Sequence, residues 1–333
     1  MKVRKPTMND VAQLAGVGRG TVSNYINGLH VQDENKQKIK KAIKELNYVP
    51  NLQARALKTA QNSYVVFIVP NSWTPFFSEL VFKMQNELNR NGFKMILANS
   101  HGNPKEEQDI LNMAALNQVS GVITTSYSDI YNVMNFSKTI NLVSIERYVS
   151  EKVPLISSDN YAGGELAAKK LIELKKSRFL VLGREHGHKD VTLVRTKAFK
   201  DYMESKKLPV DIFEATLSPS FHNEYYKYLV AHYSNGQVPF DGIFATTDEY
   251  GIIAQEVLNT INPELLKKVK IIGFDGAKAS KYMPTPIASI RQPVDDIVKF
   301  SVKVLIKMIH NEQIPLNYKK ILPVSYQEKE KAF

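Results

Sequence analysis

From Tyr64 onward the chain alternates two kinds of segment, and that alternation constrains the fold more than any other feature. Tyr64–Val69 is a continuous apolar run rich in β-branched residues, the pattern of a strand buried on both faces of a parallel sheet. Residues 76–91 follow with Leu80, Met84 and Leu88 at four-residue spacing, a helix with one apolar stripe. Strands are predicted over 93–98, 121–125 and 141–145, with a helix over 105–117 between them. The alternation restarts after Asp159. Helices over 163–174, 195–205, 223–233 and 250–260 interleave with strands over 178–182, 209–214, 242–245 and 270–274. Such alternation predicts doubly wound parallel α/β sheets, and two runs predict two lobes. A chain of 333 residues is long enough for about two domains with full cores.

Composition removes several classes of function. There is no cysteine, so disulfide scaffolds, thiolate metal sites and thiol nucleophiles are excluded. That absence also fits a reducing cytoplasm. No apolar run approaches the ~18 residues of a membrane span, and no hydrophobic stretch follows the charges of Met1–Thr7, so neither a membrane anchor nor a secretory signal is expected. No Walker phosphate loop and no Gly-x-Ser-x-Gly elbow is present. Gly16-Val17-Gly18-Arg19-Gly20 has the wrong spacing for a dinucleotide fingerprint, and no strand precedes it. His186-Gly187-His188, with Glu185 and Asp190 nearby, reads as a metal site or as a polar connector; the connector is the expectation. No metal and no cofactor is expected.

Charge is distributed unevenly. Lys plus Arg number 44 and Asp plus Glu 33, a formal net charge of +11. Residues 1–60 hold 11 basic and 4 acidic side chains, so most of the excess lies in under a fifth of the chain. A local basic excess is the footprint of a polyanion binder, or of a solvated lysine-rich surface. The pattern favours a folded module over a tail. Thr7 can cap a helix with Asp10 in its first turn, and Val11, Leu14 and Ala15 share one face. Gly16 can end that helix. A second helix is expected from about Gly18 to Asn27, with Val22 and Ile26 inward and Asn27-Gly28 closing it. A third runs over 33–46, with Ile39, Ile43 and Leu46 inward and Lys36, Lys40 and Lys44 outward. Three short helices with a tight turn at 15–17 describe a helix-turn-helix.

Asp10-Val11-Ala12-Gln13-Leu14-Ala15-Gly16-Val17, then Thr21-Val22-Ser23 and Asn27-Gly28, resemble the N-terminus of the LacI/GalR family of bacterial transcription regulators. Tyr48-Val49-Pro50-Asn51 and Ala54-Arg55-Ala56-Leu57 resemble that family's linker and hinge helix. The resemblance implies that the second helix enters the major groove and the hinge helix the minor groove. Arg19 can pair bidentately with guanine, or contact a phosphate instead. Asn24 suits adenine, while Thr7, Thr21 and Ser23 are short groups for phosphates or nearby bases. Gly18 and Asn24 depart from the family pattern, where Ser and Arg are usual, so the usual family operator is not expected. With Gly20 as a second glycine, the first turn is expected to order only on DNA. Leu57 is expected to wedge between base pairs and kink the duplex, the alternative being packing on the effector domain. Ala54 lets two hinge helices approach, and Asn51, Arg55 and Lys58 are placed for the backbone.

The remainder resembles the type I periplasmic sugar-binding fold that the same family uses as its sensor. The marks are Thr74-Pro75-Phe76-Phe77, Glu146-Arg147, Asp159-Asn160, Arg195 with Phe199, Thr247-Asp248, Gly273-Phe274-Asp275 and Ser289-Ile290-Arg291-Gln292-Pro293. Val324-Ser325-Tyr326-Gln327 lacks the usual Arg-x-Ser ending. The expected layout is a helix-turn-helix domain over 1–50, a hinge over 51–61, and a ligand-binding and dimerisation domain over 62–333. Its lobes would hold about 62–160 plus 293–320, and about 161–292 plus 321–333. Parallel strands bind ligands outside their carboxyl ends. By carry-over, Arg195 and Asp275 hold polar groups, Phe76 and Phe221 flank the ligand, Trp73 sits at the mouth, and Arg147, Asp159 and Asp248 complete the set. Other roles stay open: Phe76 as plain core, Arg195 in a helix-surface salt bridge, Asp275 in a turn, and Glu146 with Arg147 as an internal pair. The function implied is that of a transcription regulator, a repressor, binding double-stranded operator DNA as a homodimer under control of a sugar or sugar phosphate. A sugar-transport protein and an enzyme with a fused DNA-binding head are the alternatives.

Overall fold

A computed structural model describes residues 6–26, 29–48, 63–125, 140–185, 190–216, 218–278, 280 and 283–330. The chain divides into two compact units, Met1–Asn62 and Ser63–Phe333.

The first unit holds helices α1 (Met8–Ala15), α2 (Arg19–Ile26) and α3 (Asp33–Glu45). The start of α1 is closed reciprocally. The Thr7 hydroxyl accepts from the Asp10 backbone N–H at 3.4 Å, and Asp10 Oδ2 accepts from the Thr7 N–H at 2.7 Å. Asp therefore performs the return contact usually made by Glu or Gln. Gly16 ends the helix in the left-handed region at φ 64°, where a side chain would be strained. The core is small: Val11, Ala12, Ala15, Val22, Ile39, Ala42 and Tyr48. Leu14, expected inside, is 46% exposed. The buried arc of α1 is centred among Val11, Ala12 and Ala15, and Leu14 lies past its edge. The turn expected to order only on DNA is already helical from Arg19. Gly18 C=O accepts from the N–H groups of Thr21 and Val22, and buried Val22 anchors it.

The second unit contains two six-stranded sheets among its described residues. The first is assembled from β1 (Tyr64–Val69), β2 (Lys94–Asn99), β3 (Gly121–Thr124), β4 (Leu142–Ile145), β5 (Leu155–Ser158) and a late strand, β11 (Lys319–Leu322). Its order is β11-β5-β4-β3-β1-β2, with every pairing parallel. Helices α4 (Pro75–Arg90) and α5 (Pro104–Leu116) connect its strands. The second sheet holds β6 (Phe179–Arg184), β7 (Val210–Ala215), β8 (Gly242–Ala245), β9 (Lys270–Asp275), β10 (Ala288–Arg291) and β12 (Ser325–Gln327). Its order is β12-β10-β9-β8-β6-β7, with β12 alone antiparallel. Helix α6 (Asn160–Glu173) leads from β5 into this sheet, and α7 (Val191–Ser205), α8 (Phe221–Ala231), α9 (Asp248–Ile261) and the short α10 (Leu265–Lys268) lie between its strands. Helix α11 (Val294–Ile309) returns the chain to the first lobe. Its Val294, Ile297, Val298, Val302 and Leu305 join Val65, Phe67, Leu80, Met84 and Ile145 in one core. The chain thus passes between sheets three times, after β5, β10 and β11. Among the described residues no helix is long and apolar enough to cross a membrane.

Strands β5 and β10 to β12, and helices α10 and α11, fall outside the elements predicted one by one above. Four predicted helices also begin two or more residues earlier than expected, at Asn160, Val191, Phe221 and Asp248.

Candidate functional site

In the first unit, α2 presents a polar face. Val22 is fully buried and fixes the helix by its inner side. Arg19, Gly20 and Asn24 are exposed, and Thr21 and Ser23 half-buried beside them. A side chain on Gly20 would meet nothing within 4 Å, so no packing demand explains that glycine. The hinge residues Asn51, Ala54, Arg55, Leu57 and Lys58 lie outside the described residues, as do His186 and His188.

In the second unit a cavity of about 670 Å³ opens where strands of both sheets end. The first sheet supplies the turn after β1, with Trp73 and Phe76, and Glu146-Arg147 after β4. The second supplies Arg184 at the end of β6, Thr247-Asp248 after β8 and Asp275 at the end of β9. Arg195 reaches in from α7 and Gln292 from the segment after β10. This is the carboxyl-end crevice of parallel sheets, where side chains converge because the connecting loops all turn there.

Arg195 organises the floor. It is 3% exposed, which rules out a surface salt bridge. Its Nε donates to Asn160 Oδ1 at 2.8 Å and its Nη1 to the Thr246 carbonyl at 2.8 Å. The guanidinium stacks 3.6 Å from the Phe274 ring centroid and lies 3.7 Å from Asp275 Oδ1. Burial pushes both acids up, Asp275 to about 7 and Asp248 to about 6. Arg195 opposes the rise at Asp275, and the Ser289 hydroxyl, donating to Asp248 at 2.5 Å, opposes it at Asp248. Two cleft residues sit at positive φ, Glu146 at 64° and Asp275 at 129°. Such backbone stores about 1–3 kcal/mol and persists only where its surroundings hold it. Glu146 accepts from the Ser158 N–H at 2.7 Å and from Asn160 Nδ2 at 2.7 Å. Asp275 accepts from Gln292 Nε2 at 2.7 Å.

Six of the expected ligand residues come together on the cavity wall: Trp73, Phe76, Arg147, Arg195, Asp248 and Asp275. Trp73 is 92% exposed at the rim. Phe76 belongs to the core and to the wall at once, packing edge-on against Phe77 at 5.2 Å. Arg147 pairs with Asp190 at 3.6 Å. Asp159 and Phe221 do not line the cavity. The Asp159 carboxylate caps α6, accepting from the Ala162 N–H at 2.9 Å. The Phe221 ring stands behind the wall, 4.5 Å from the Arg184 guanidinium and 5.7 Å from Tyr250.

Sequence reasoning missed Arg184, Asp190, Gln292 and Tyr250 as wall residues. Gln292 stands within a motif of the resemblance, Asp190 beside the histidine pair read as a connector, Tyr250 at the start of a predicted helix, and Arg184 just past the predicted end of β6. The Thr247 hydroxyl also lines the cleft and finds no partner among the described residues, so it offers a ligand a hydrogen bond.

A model for bacterial regulatory proteins of the lacI family matches residues 7–51. A model for periplasmic binding proteins and the sugar-binding domain of the LacI family matches residues 62–311. The sucrose operon repressor of Streptococcus mutans is 32% identical over 320 residues, covering 95% of this chain and 96% of that protein. The ribose operon repressor of Bacillus subtilis is 31% identical over 327 residues, covering 96% of each. In fold, the structure of the lac repressor dimer bound to operator and the anti-inducer ONPF matches with a TM-score of 0.79, at 20% identity over 98% of both chains. The chain belongs to the LacI family and is a DNA-binding transcription repressor with a ligand-binding domain of the periplasmic-binding-protein type.

Proposed function

We propose that this repressor reads its operator with α2, as a homodimer in the cytoplasm, and that a sugar or sugar derivative held between the lobes sets its operator affinity. Residues 1–50 form the reading head, 51–61 the hinge and 62–333 the sensor. Arg19, Gly20, Thr21, Ser23 and Asn24 face the major groove, and Thr7 a phosphate. From the family resemblance, Leu57 kinks the duplex, with Asn51, Ala54, Arg55 and Lys58 around it. One reading helix covers one half-site, so a palindromic operator needs two copies. The observation that carries the sensor reading is the buried Arg195–Asp275 pair in a cavity that Phe76 walls with an aromatic face. Carboxylates and guanidinium exchange hydrogen bonds with ring hydroxyls, and an aromatic face covers the C–H side of a sugar ring.

The control is a two-state equilibrium of the lobes. Ligand shifts it only by its differential affinity for the two arrangements, and the hinge helices feel the result. Trp73, the only tryptophan, stands at the rim and reports closure. Titrating the purified protein with a panel of sugars is expected to change its emission saturably, and the same sugar to change operator affinity. A panel that moves neither would refute the reading.

A further inference from the structure

We infer that the cleft is built for an uncharged sugar and turns away phosphate esters, because the guanidiniums in its wall are committed to protein partners and carboxylates outnumber them. The inference rests on the cleft being the effector site, as read above.

The described wall contains three arginines. Arg147 is countered by Asp190 across 3.6 Å, an ion pair rather than a hydrogen bond. Arg195 is held by Asn160, the Thr246 carbonyl and Asp275. Arg184 donates to the carbonyls of Thr216 and Ser218, at 3.0 and 3.1 Å, and covers the Phe221 ring. The one histidine of the described wall, His101, is engaged by Glu106 at 2.7 Å. Against these stand Asp190 and Asp275, already paired, and Glu146, Asp248 and Glu249 in addition. Even with Asp275 pushed up to about 7 and so only partly ionised, the described wall sets Glu146, Asp190, Asp248 and Glu249 against three guanidiniums, and a dianionic phosphate entering it would meet like charge in a partly desolvated space, where repulsion is strong. A neutral polyol meets acceptors for its hydroxyl protons, which is what carboxylates provide.

A second observation points the same way. Helix N-termini are the other ready phosphate sites of such a fold, because their free N–H groups and dipole attract anions. Here they already carry acids. Asp159 caps α6, and Asp190 caps α7 by accepting from the Thr192 N–H at 2.9 Å. Asp248 and Glu249 occupy the first turn of α9. Helix α4 has no side-chain cap, but it opens with Pro75, which removes a donor.

The test is calorimetric titration of the full-length protein with common mono- and disaccharides, with the monophosphate ester of each, and with inorganic phosphate. A free sugar should bind, and its ester should bind at least about tenfold more weakly, the scale of a net like-charge contact in a partly wet cleft. An ester that binds as tightly as its parent, or more tightly, overturns the inference and leaves the cleft reading standing. Failure of every sugar and every ester to bind overturns the cleft reading, and this inference with it. Glu249→Lys and the milder Glu249→Gln should narrow the gap between ester and parent, the first by more. A ratio that moves in neither variant overturns electrostatic exclusion as its cause.

Discussion

The reading head and the cleft use polar side chains in opposite ways. On α2, Arg19 and Asn24 are exposed and the helix is held by its inner side, where Val22 is buried and Tyr25 and Ile26 pack beside it. In the cleft, Arg195 and Asp275 are withdrawn from water, tied to neighbours by several hydrogen bonds, and one of them sits on strained backbone. The contrast follows from the partners. A duplex brings a dense field and its own geometry, so the protein needs only long side chains on a small firm base. A small neutral ligand brings no field, so the pocket must be organised before it arrives. The head accordingly has a core of a few side chains, and the sensor has several large clusters.

The largest test of that contrast is Arg195→Ala. It removes the cation facing two buried acids and leaves Asn160 and the Thr246 carbonyl without their donor. The sensor should lose about 3–5 kcal/mol of stability, the scale for breaking a buried pair. The head should keep its own melting transition and its non-specific DNA binding. Calorimetric scanning of variant and parent checks this; an unshifted sensor transition would show the cleft to be less organised than its contacts imply.

Arg19→Ala makes the complementary test. Folding should be untouched, while operator affinity falls by about 1–3 kcal/mol and preference relaxes at one base pair per half-site. A uniform loss across all sequences, with a flatter salt dependence, would make Arg19 a phosphate contact instead.

The smallest effect sharpens the comparison. Gly20→Ala places a methyl group in open space on a helix and should stabilise the head by about 0.5–1 kcal/mol. If Gly20 lies against the duplex, operator binding weakens even as the melting temperature rises. If both improve, the glycine has no part in the interface.

The sequence made the buried strands plain and hid the cleft. Tyr64–Val69 and Gly242–Ala245 read directly because both faces of those strands are apolar. Helices α6, α7 and α9 were placed starting at Gly163, Arg195 and Tyr250, whereas they begin at Asn160, Val191 and Asp248. The first turns of α7 and α9 line the cavity with Thr192 and Asp248, and that of α6 carries Asn160, which holds Glu146 and Arg195 from behind, so polarity at the cleft erases the apolar period that marks a helix. Strands β5 and β10 are short and end in polar residues that bond within the protein, Ser158 to Glu146 and Gln292 and Arg291 to Glu79, which breaks their apolar runs. Strand β11 was hidden differently: it begins Lys319-Lys320 at a sheet edge, where charge blunts pairing. Asp159 enters the ligand set only through its neighbours in the motif; its carboxylate caps α6 and stands off the cavity wall.

The threefold passage between sheets has a consequence for the order in which the protein can be made. Among the described residues the head's core lies between Val11 and Tyr48, so it can form early in synthesis. Neither sensor lobe can. The first waits for α11 and β11, and the second for β12, which pairs with β10 through Ser325–Gln327. Domains fold as units once their chain has emerged, and distant pairings form slowly. Through most of translation, then, the ribosome displays a finished DNA reader joined to an unfinished switch. Chains that stop short of residue 319 would carry the reader with neither lobe closed, and these are the products that quality control has most reason to remove.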